Sequence, residues 1–351
     1  MARQMLTGRW VWQGKDLAAS SDWSKPLPAA ALPELEHALR GVQARGLAWT
    51  EITAADFPLP ALNEFLGELA DELEDGRGLV KITGFPVGRY SDAELKAIYW
   101  GLGVHLGMPR YQNAYGEIMG EIRDEIRRYG QVTGDSSGQP KSGAPLSSRA
   151  RTRTNGPLRF HTDRVDVVSL LCVRPARQGG ISKVVSTPAI HNAMLERRPD
   201  LLDLLFENYP RSRQGEEASG ESQIYTLPVF AMQGGKFTSQ YSRTFVEAAQ
   251  RLPGVPKISP AQNEALDLLA ELAEELAFQM EFQPGDIQFL NNHVTYHGRT
   301  AYEDQDVTND RLLLRLWLSM PNSRVLPAGF EALWGTTQPG ALRGGIRHAA
   351  T

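Results

Sequence analysis

The sequence predicts an α+β protein in which helices flank a jelly-roll barrel of β-strands. The opening third carries apolar residues at helical spacing, whereas the chain from Leu158 onward is rich in the short Val, Leu and Ile runs that are typical of strands. Long crossings separate these strands, and two polar motifs that end at Asp163 and His297 lie far apart in the sequence. This pattern fits a jelly roll better than a parallel sheet, and a jelly roll encloses a cavity for a small molecule.

The first third of the chain predicts three helices and one strand. Apolar residues recur at helical spacing from Pro33 to Gly46 and from Leu62 to Asp75. The segment from Gly78 to Pro86 predicts a short strand closed by a turn. A third helix is expected from Ser91 to about Gly107, because Ser91 and Glu94 form a capping box.

The remaining elements are strands interrupted by two helical segments. Thr187 is expected to cap the first helix, with Pro188 at its first position. Ser259 opens the second helix, which reaches about Phe278. After it come a turn and two strands, at Pro284-Gly285-Asp286, Ile287 to Leu290 and Arg311 to Ser319.

The composition is that of a globular protein with no general attraction to nucleic acid or to membranes. The 351 residues, of which 41% are apolar, can fill a sizeable core. The 37 basic and 41 acidic side chains nearly cancel, leaving a net charge of -4. No stretch has the character of a signal peptide or a membrane span, and the single cysteine, Cys172, excludes an internal disulfide. We therefore expect a cytoplasmic protein.

We predict one domain over residues 1–351. It comprises a helical extension over 1–77, the jelly-roll core over 78–321 and a tail over 322–351. The extension and the tail are candidates for setting oligomerisation, so that a homo-oligomer is possible, or for lining a substrate entrance. The segment from Gly130 to Pro157 is rich in Gly, Pro and Ser and predicts a loop, which can act as a lid over the following motif or as a passive surface loop.

The motif Phe160-His161-Thr162-Asp163 predicts two metal ligands. Residues two apart on a strand point the same way, so His161 and Asp163 share one face. The downstream motif offers His293 or His297 as the third ligand, and we favour His297, with His293 near the site or on the surface. Two histidines and one carboxylate, with open positions opposite, are the ligand set of non-haem Fe(II) oxygenases.

The strand from Arg311 to Ser319 carries leucine at every even position. That face must be core, which leaves Arg311, Arg315 and Trp317 on the face of a cavity. Buried guanidinium groups need anionic partners, and a pair of them suits a dicarboxylic acid. The alternative is a set of structural salt bridges with nearby acids such as Asp304, Asp306 or Asp310.

In their order and spacing these motifs resemble the taurine dioxygenase (TauD/TfdA) family of Fe(II)- and 2-oxoglutarate-dependent oxygenases, which includes clavaminate synthase-like enzymes. The resemblance runs from about Gly78 to Pro321. The residues that carry it are Gly84-Phe85-Pro86, Phe160-His161-Thr162-Asp163, Gly179-Gly180-Ile181-Ser182, Pro284-Gly285-Asp286 through His297, and Arg311 to Arg315.

The resemblance implies a double-stranded β-helix core, which is jelly-roll and cupin-like, with His161, Asp163 and His297 as Fe(II) ligands. Family members that halogenate have a small residue in place of the carboxylate. Because Asp163 is present, hydroxylation or a related oxidation of a C–H bond with O2 is expected.

The resemblance also implies a site for the cosubstrate 2-oxoglutarate. Arg311 matches the arginine that binds the far carboxylate, and Ser182 stands where the family has a threonine whose hydroxyl contributes to the same site. Arg315 matches a second arginine that in some members reaches substrate or cosubstrate.

The substrate is expected to be a small organic molecule, acidic or amino-acid-like, because Arg315 is cationic. Asn113 and Tyr115 are further candidate contacts. Two other function classes compete: a non-catalytic jelly-roll protein that binds an organic acid, and a zinc hydrolase. The binder has no need for a metal with open positions, and the hydrolase would need Asp166 or Glu303 as its general base.

Overall fold

The computed structural model describes residues 4–130, 151–214, 217 and 220–346. The helices are α1 Gly14–Ala18, α2 Ala31–Ala44, α3 Asn63–Glu74, α4 Asp92–Leu106, α5 Glu125–Tyr129, α6 Thr187–Arg197, α7 Pro199–Leu204, α8 Arg243–Gln250, α9 Pro260–Leu276 and α10 Glu331–Trp334, with short 3-10 turns at Trp49–Glu51, Pro60–Leu62 and Val87–Arg89. The strands are β1 Ser24–Pro26, β2 Leu79–Thr83, β3 Met108–Pro109, β4 Met119–Ile122, β5 Leu158–His161, β6 Val167–Arg174, β7 Gln178–Gly179, β8 Ser182–Ser186, β9 Asn208–Ser212, β10 Ile224–Pro228, β11 Phe230–Gln233, β12 Lys236–Ser239, β13 Phe278–Met280, β14 Ile287–Asn291, β15 Thr295–Arg299, β16 Tyr302–Glu303 and β17 Leu312–Ser319.

Two main sheets form the core of the molecule. The larger has the order β1-β2-β14-β6-β17-β3, with β4 also paired to β17, and the smaller has the order β13-β8-β15-β5. Apart from the parallel β1–β2 pair, the pairs within both sheets are antiparallel. Val168 and Leu313 of the larger sheet share one apolar cluster with Val184 of the smaller, so the sheets pack face to face. The predicted α+β jelly roll is confirmed.

Helices cover the outer faces of both sheets. Helices α2, α3 and α4 pack on the larger sheet through residues such as Leu35, Leu69 and Ile98. Helices α6, α7 and α9 pack on the smaller sheet through residues such as Ile190 and Leu269. In the described parts of the chain, the inner faces of the two sheets therefore remain for a ligand site.

Strand β17 separates a core face from a cavity face, as its sequence predicts. Leu312, Leu314, Leu316 and Leu318 belong to the cluster that packs against the helices. Trp317 belongs to the cluster between the sheets, and Arg315 lies on that same face because the two are two residues apart.

Two predicted boundaries need correction. The α6 cap is Ser186, whose hydroxyl accepts a hydrogen bond from the Ala189 amide, and Thr187 is the first helical residue. Helix α9 ends at Leu276, so Phe278 belongs to strand β13. The predicted loop spans residues 130–157, of which 131–150 lie outside the described residues. Its role as a lid or as a passive surface loop stays a prediction. No helix in the described parts of the chain is long and apolar enough to cross a bilayer.

The turn at Pro284-Gly285-Asp286 depends on its glycine. Gly285 has a φ of +88°, and a Cβ there would lie 1.8 Å from the Phe85 carbonyl oxygen. We expect Gly285→Ala to lower the free energy of unfolding by roughly 2–4 kcal/mol in a urea titration, because backbone strain adds to the overlap. Gly84→Ala is the matched control, since Gly84 has a φ of +84° with no heavy atom within 4 Å. It should cost only about 1 kcal/mol, and equal losses would mean that the Phe85 contact is unimportant.

Candidate active site

Strands β5 and β15 bring the two histidines of the predicted triad together. His161 ends β5 and is paired in register with His297 of β15. Asp163 follows two residues later, and its backbone amide donates to Asn292 Oδ1 at 2.9 Å. One nitrogen from each imidazole and one Asp163 oxygen lie within 4.8 Å of one another.

The three side chains are oriented as metal ligands would be. His161 Nε2 lies 3.9 Å from Asp163 Oδ1, and His297 Nε2 lies 3.7 Å from Asp163 Oδ2. Both distances exceed a hydrogen bond, so the three groups face a common space without bonding one another. His161 Nδ1 lies 2.9 Å from the Arg159 carbonyl oxygen, which it can reach only as an N–H donor. Its Nε2 therefore carries the lone pair that faces this space.

The electrostatics of the triad favour a bound cation. Burial, followed by the neighbouring His161, lowers the pKa of His297 to about 3, so its imidazole is neutral. Burial opposes ionisation of Asp163, but Arg315 and the two imidazoles hold the pKa of this carboxyl below its usual value. Trp317 Nε1 donates to Asp163 Oδ2 at 3.0 Å, which leaves Oδ1 for a metal. Two imidazoles whose Nε2 atoms face one space and one ionised carboxylate fit Fe(II).

A cavity between the sheets continues from the triad to Arg311. His297, Ser182 and Arg311 line it together with Gln288 and Leu313. The Ser182 hydroxyl lies 3.4 Å from Gln288 Oε1, which is a weak hydrogen bond.

Arg311 is buried with an unsatisfied donor. Its Nη1 has no hydrogen-bond partner among the described residues, and its guanidinium lies 5.1 Å from the Tyr302 ring centre. Asp304 accepts the Arg311 backbone amide rather than its side chain, and Asp310 pairs with Arg123, Arg128 and Arg174. Within the described chain the salt-bridge alternative for the Arg311 side chain is therefore not supported.

A second cavity lies on the other side of the triad. Arg315 lines both cavities, and its Nη1 lies 3.9 Å from Asp163 Oδ2. Gln112 holds Arg315 in place, because its Oε1 accepts from Arg315 Nε at 2.6 Å and its Nε2 donates to the Arg315 carbonyl at 2.8 Å. Other residues that line this cavity are Glu117, Arg164, Arg213, Gln240 and Leu333, none of which the sequence patterns indicated.

The structure does not bring the two other predicted substrate contacts into this cavity. Asn113 is buried in a turn, where its side chain bonds to Glu117 Oε2 at 2.7 Å and to the Tyr115 amide at 2.9 Å. The Tyr115 residue is 54% exposed. Neither residue is among those that line the two cavities in the described structure. Gln112, which the sequence patterns did not indicate, does line the cavity, and the role of Asn113 and Tyr115 stays a prediction.

Comparison with known proteins decides the family. The model of the family described as "Taurine catabolism dioxygenase TauD, TfdA family" matches residues 43–317. The chain belongs to this family. It is therefore a non-haem Fe(II)- and 2-oxoglutarate-dependent dioxygenase, as the resemblance implied.

Two relatives match most of the chain. FR-33289 synthase of Streptomyces rubellomurinus is 30% identical over 345 residues, which are 95% of this chain and 96% of that protein. The taurine hydroxylase-like protein SAT17 of Stachybotrys chartarum is 31% identical over 320 residues, which are 89% of this chain and 79% of that protein.

Solved oxygenase structures share the fold at low sequence identity. Asparagine oxygenase with Fe(II), 2S,3S-3-hydroxyasparagine and succinate has a TM-score of 0.60 at 15% identity, covering 85% of this chain and 93% of that chain. The non-haem iron oxygenase OrfP with Fe and alpha-ketoglutaric acid has a TM-score of 0.59 at 17% identity, covering 84% and 94%.

His293 belongs to a buried structural network outside the triad. Its Nε2 lies 2.8 Å from Asp166 Oδ1 and its Nδ1 lies 2.8 Å from the Thr238 hydroxyl. Of the two positions predicted for His293, near the site or on the surface, its 1% exposure excludes the surface. Asp166 also pairs with Arg343, and Glu303 pairs with the exposed Arg177, so neither acid nominated for a zinc hydrolase lines the triad cavities.

The buried state of His293 predicts a stability change in mild acid. Burial is the main cause that lowers the pKa of His293 from 6.5 to about 4. The unfolded chain therefore binds one more proton than the folded chain between these values, and stability falls as pH drops from 6.5 towards 4, by about 3 kcal/mol from this residue. Urea titrations of metal-free protein at several pH values give the slope of the unfolding free energy against pH. His293→Gln should reduce this slope by about 1.4 kcal/mol per pH unit between about pH 4 and 6.5. An unchanged slope would contradict this.

Proposed function

We propose that His161, Asp163 and His297 hold Fe(II), and that Arg311 and Ser182 hold 2-oxoglutarate. The observation that carries the proposal is the convergence of three metal-binding groups beside a buried cavity that ends in an unsatisfied guanidinium. Bound iron with 2-oxoglutarate and O2 supplies the oxidative decarboxylation that yields succinate, CO2 and the oxidising power for a C–H bond.

The protein contributes orientation at the metal. The Arg159 carbonyl fixes the His161 tautomer, so that Nε2 faces the metal position. The Trp317 indole donates to one oxygen of Asp163 and so orients the carboxylate, whose other oxygen would be available to the metal. Burial keeps His297 neutral and able to bind a metal at neutral pH.

The cosubstrate cavity contributes an anion site. A planar guanidinium bonds a carboxylate at two points, and Arg311 Nη1 has a hydrogen to donate. The weak bond from Ser182 to Gln288 leaves its hydroxyl able to turn to a ligand. The 5-carboxylate of 2-oxoglutarate would suit this pair, since Ser182, Arg311 and the metal-binding His297 line one cavity.

We propose that the primary substrate is a small acid or an amino-acid-like molecule, bound in the cavity on the other side of the triad. Two features support this. Gln112 fixes Arg315 at the junction of the two cavities, and the names of the related structures include hydroxyasparagine and hydroxy-L-arginine. Leu333 from the C-terminal tail also lines this cavity, which supports the predicted role of the tail at the substrate entrance.

Spectroscopy and product analysis together test the proposal. Anaerobic addition of Fe(II) and 2-oxoglutarate should produce a weak visible charge-transfer band, and aerobic addition of a substrate should release succinate. A panel of amino acids, sulfonates and small carboxylic acids would identify the substrate class. A protein that binds these acids without the band and without succinate would be the non-catalytic binder.

A further inference from the structure

Arg213 and Gln240 both line the substrate cavity. Arg213 follows strand β9 and Gln240 follows strand β12, so two separate hairpins place them in the same cavity as His161 and Asp163. The residues are 5% and 2% exposed, respectively. Their polar groups are therefore shielded from bulk water.

The charges around Arg213 include a second guanidinium, that of Arg164, and a carboxylate that both arginines contact. Glu221 binds Arg164 through both oxygens, at 2.7 and 3.3 Å. The same carboxylate lies 3.7 Å from Arg213 Nε, so two guanidinium groups share one acid. Burial and then Arg164 hold the pKa of Arg213 below its usual value, against smaller raising effects of Glu221, Tyr225 and Glu217. A buried cation in this position is costly without a further anion.

One donor and one acceptor that belong to Arg213 and Gln240 have no hydrogen-bond partner among the described residues. Arg213 Nε donates to the Ser222 carbonyl at 2.9 Å and its Nη2 donates to the Ala332 carbonyl, which fixes the guanidinium. Its Nη1 has no hydrogen-bond partner in the described parts of the chain, and Gln240 Oε1 has none there either. Two unsatisfied buried groups in one cavity indicate a ligand that carries an acid beside an N–H or O–H donor.

A larger cavity reaches Arg213 from the other side. It has a volume of about 680 Å³ and shares Arg164, Arg213 and Tyr225 with the substrate cavity. The C-terminal tail forms part of its wall through Trp334. Arg213 therefore lies in the wall that the two cavities share.

We propose that Arg213 and Gln240 select the primary substrate, with Arg213 binding its acidic group and Gln240 accepting from a neighbouring donor. This inference rests on the proposed function for the identity of the cavity as the substrate site. It adds a specificity site that is separate from Arg315 and from the cosubstrate pocket.

A matched series of small acids tests the proposal. β-Alanine, taurine and 2-aminoethylphosphonate carry the same ammonium group and differ in the acid, whereas ethanolamine has no acid. Calorimetric titration into the anaerobic Fe(II)–2-oxoglutarate complex, and into metal-free protein, should show binding of at least one acid and none of ethanolamine. Binding of none of the acids, or of ethanolamine equally well, would overturn the proposal.

Variants locate the binding at these two residues. We expect Arg213→Gln and Gln240→Glu each to weaken binding of the acid by about tenfold or more, the first by removing the cation and the second by adding a carboxylate to the same cavity. Gln240→Glu keeps every Arg213 bond, so it remains informative where Arg213→Gln unfolds. Arg177→Gln removes an exposed arginine outside both cavities and should bind as wild type does.

The outcomes separate this inference from the proposed function. Affinities of both cavity variants within twofold of wild type would overturn the selection site, even where the visible band shows an intact iron and 2-oxoglutarate site. Acid binding that depends on Arg213 without that band would support the selection site and contradict the iron and 2-oxoglutarate assignment.

Discussion

His297→Ala should abolish ferrous binding and turnover. Removal of one of three protein ligands leaves two groups to hold the ion, and we expect affinity for Fe(II) to fall by more than about 100-fold, since loss of even an outer-shell partner can cost 10- to 100-fold. The anaerobic band with 2-oxoglutarate measures the loss, and succinate release measures turnover. The fold should persist, because the His297 side chain lines the cavity and its Nδ1 has no hydrogen-bond partner among the described residues.

His293→Ala is the matched control for this experiment. The same residue type is removed four positions earlier, where the side chain bonds to Asp166 and Thr238 and stacks on Trp334 with 4.7 Å between ring centres. We expect it to keep the band and to lose roughly 2–4 kcal/mol of stability. If His293→Ala lost the metal and His297→Ala kept it, the third ligand would be His293 and the triad as assigned would be wrong.

The sequence could predict the placement of His161 and Asp163, and of Arg315 and Trp317, because the signals are local. His161 and Asp163 are two apart at the end of a strand, and the alternation of leucine on β17 places Arg315 and Trp317 on the inner face whatever the rest of the fold does. A period of two in side-chain direction is a property of the strand alone. These features needed no knowledge of which segments meet.

The rest of the site depends on which distant segments pack together, and no local residue pattern indicates those contacts. Gln112 matters because its amide reaches both the side chain and the carbonyl of Arg315 on a distant strand. Its neighbour Asn113 is just as polar, but its side chain closes a turn. Arg213 and Gln240 likewise lie next to ordinary hairpin strands, and only the packing of the two hairpins places them in one cavity.

The misplaced helix cap has a similar cause at short range. Ser186 and Thr187 both carry a hydroxyl that can cap a helix, and Pro188 is tolerated throughout the first turn. Pairing of β8 with β15 extends to Ser186, which keeps Ser186 in extended conformation and makes it the cap. Strand pairing therefore determines which of the two hydroxyls caps the helix.

Arg311→Ala should raise the requirement for 2-oxoglutarate far more than it changes iron binding. The variant removes a buried charged partner of the far carboxylate, which costs about 2–4 kcal/mol, or roughly 30-fold to several-hundred-fold in affinity. Titration of the anaerobic band with 2-oxoglutarate measures the affinity, and the KM for 2-oxoglutarate should rise in parallel. At saturating 2-oxoglutarate the band should return, because the three metal ligands are untouched.

Two further variants decide which groups hold the carboxylate. Arg311→Lys keeps the charge but loses the planar fork of the guanidinium. Its KM for 2-oxoglutarate should therefore be intermediate between those of wild type and Arg311→Ala. Ser182→Ala removes one neutral hydroxyl and should cost about 1 kcal/mol, or about fivefold. If Arg311→Ala left the requirement unchanged, the carboxylate would have to bind Arg315 or Arg299, which line the same cavity. Arg299 resembles Arg311 in two respects. Its Nη1 also lacks a hydrogen-bond partner among the described residues, and its guanidinium lies 4.7 Å from the centre of the Tyr302 ring, which Arg311 contacts as well.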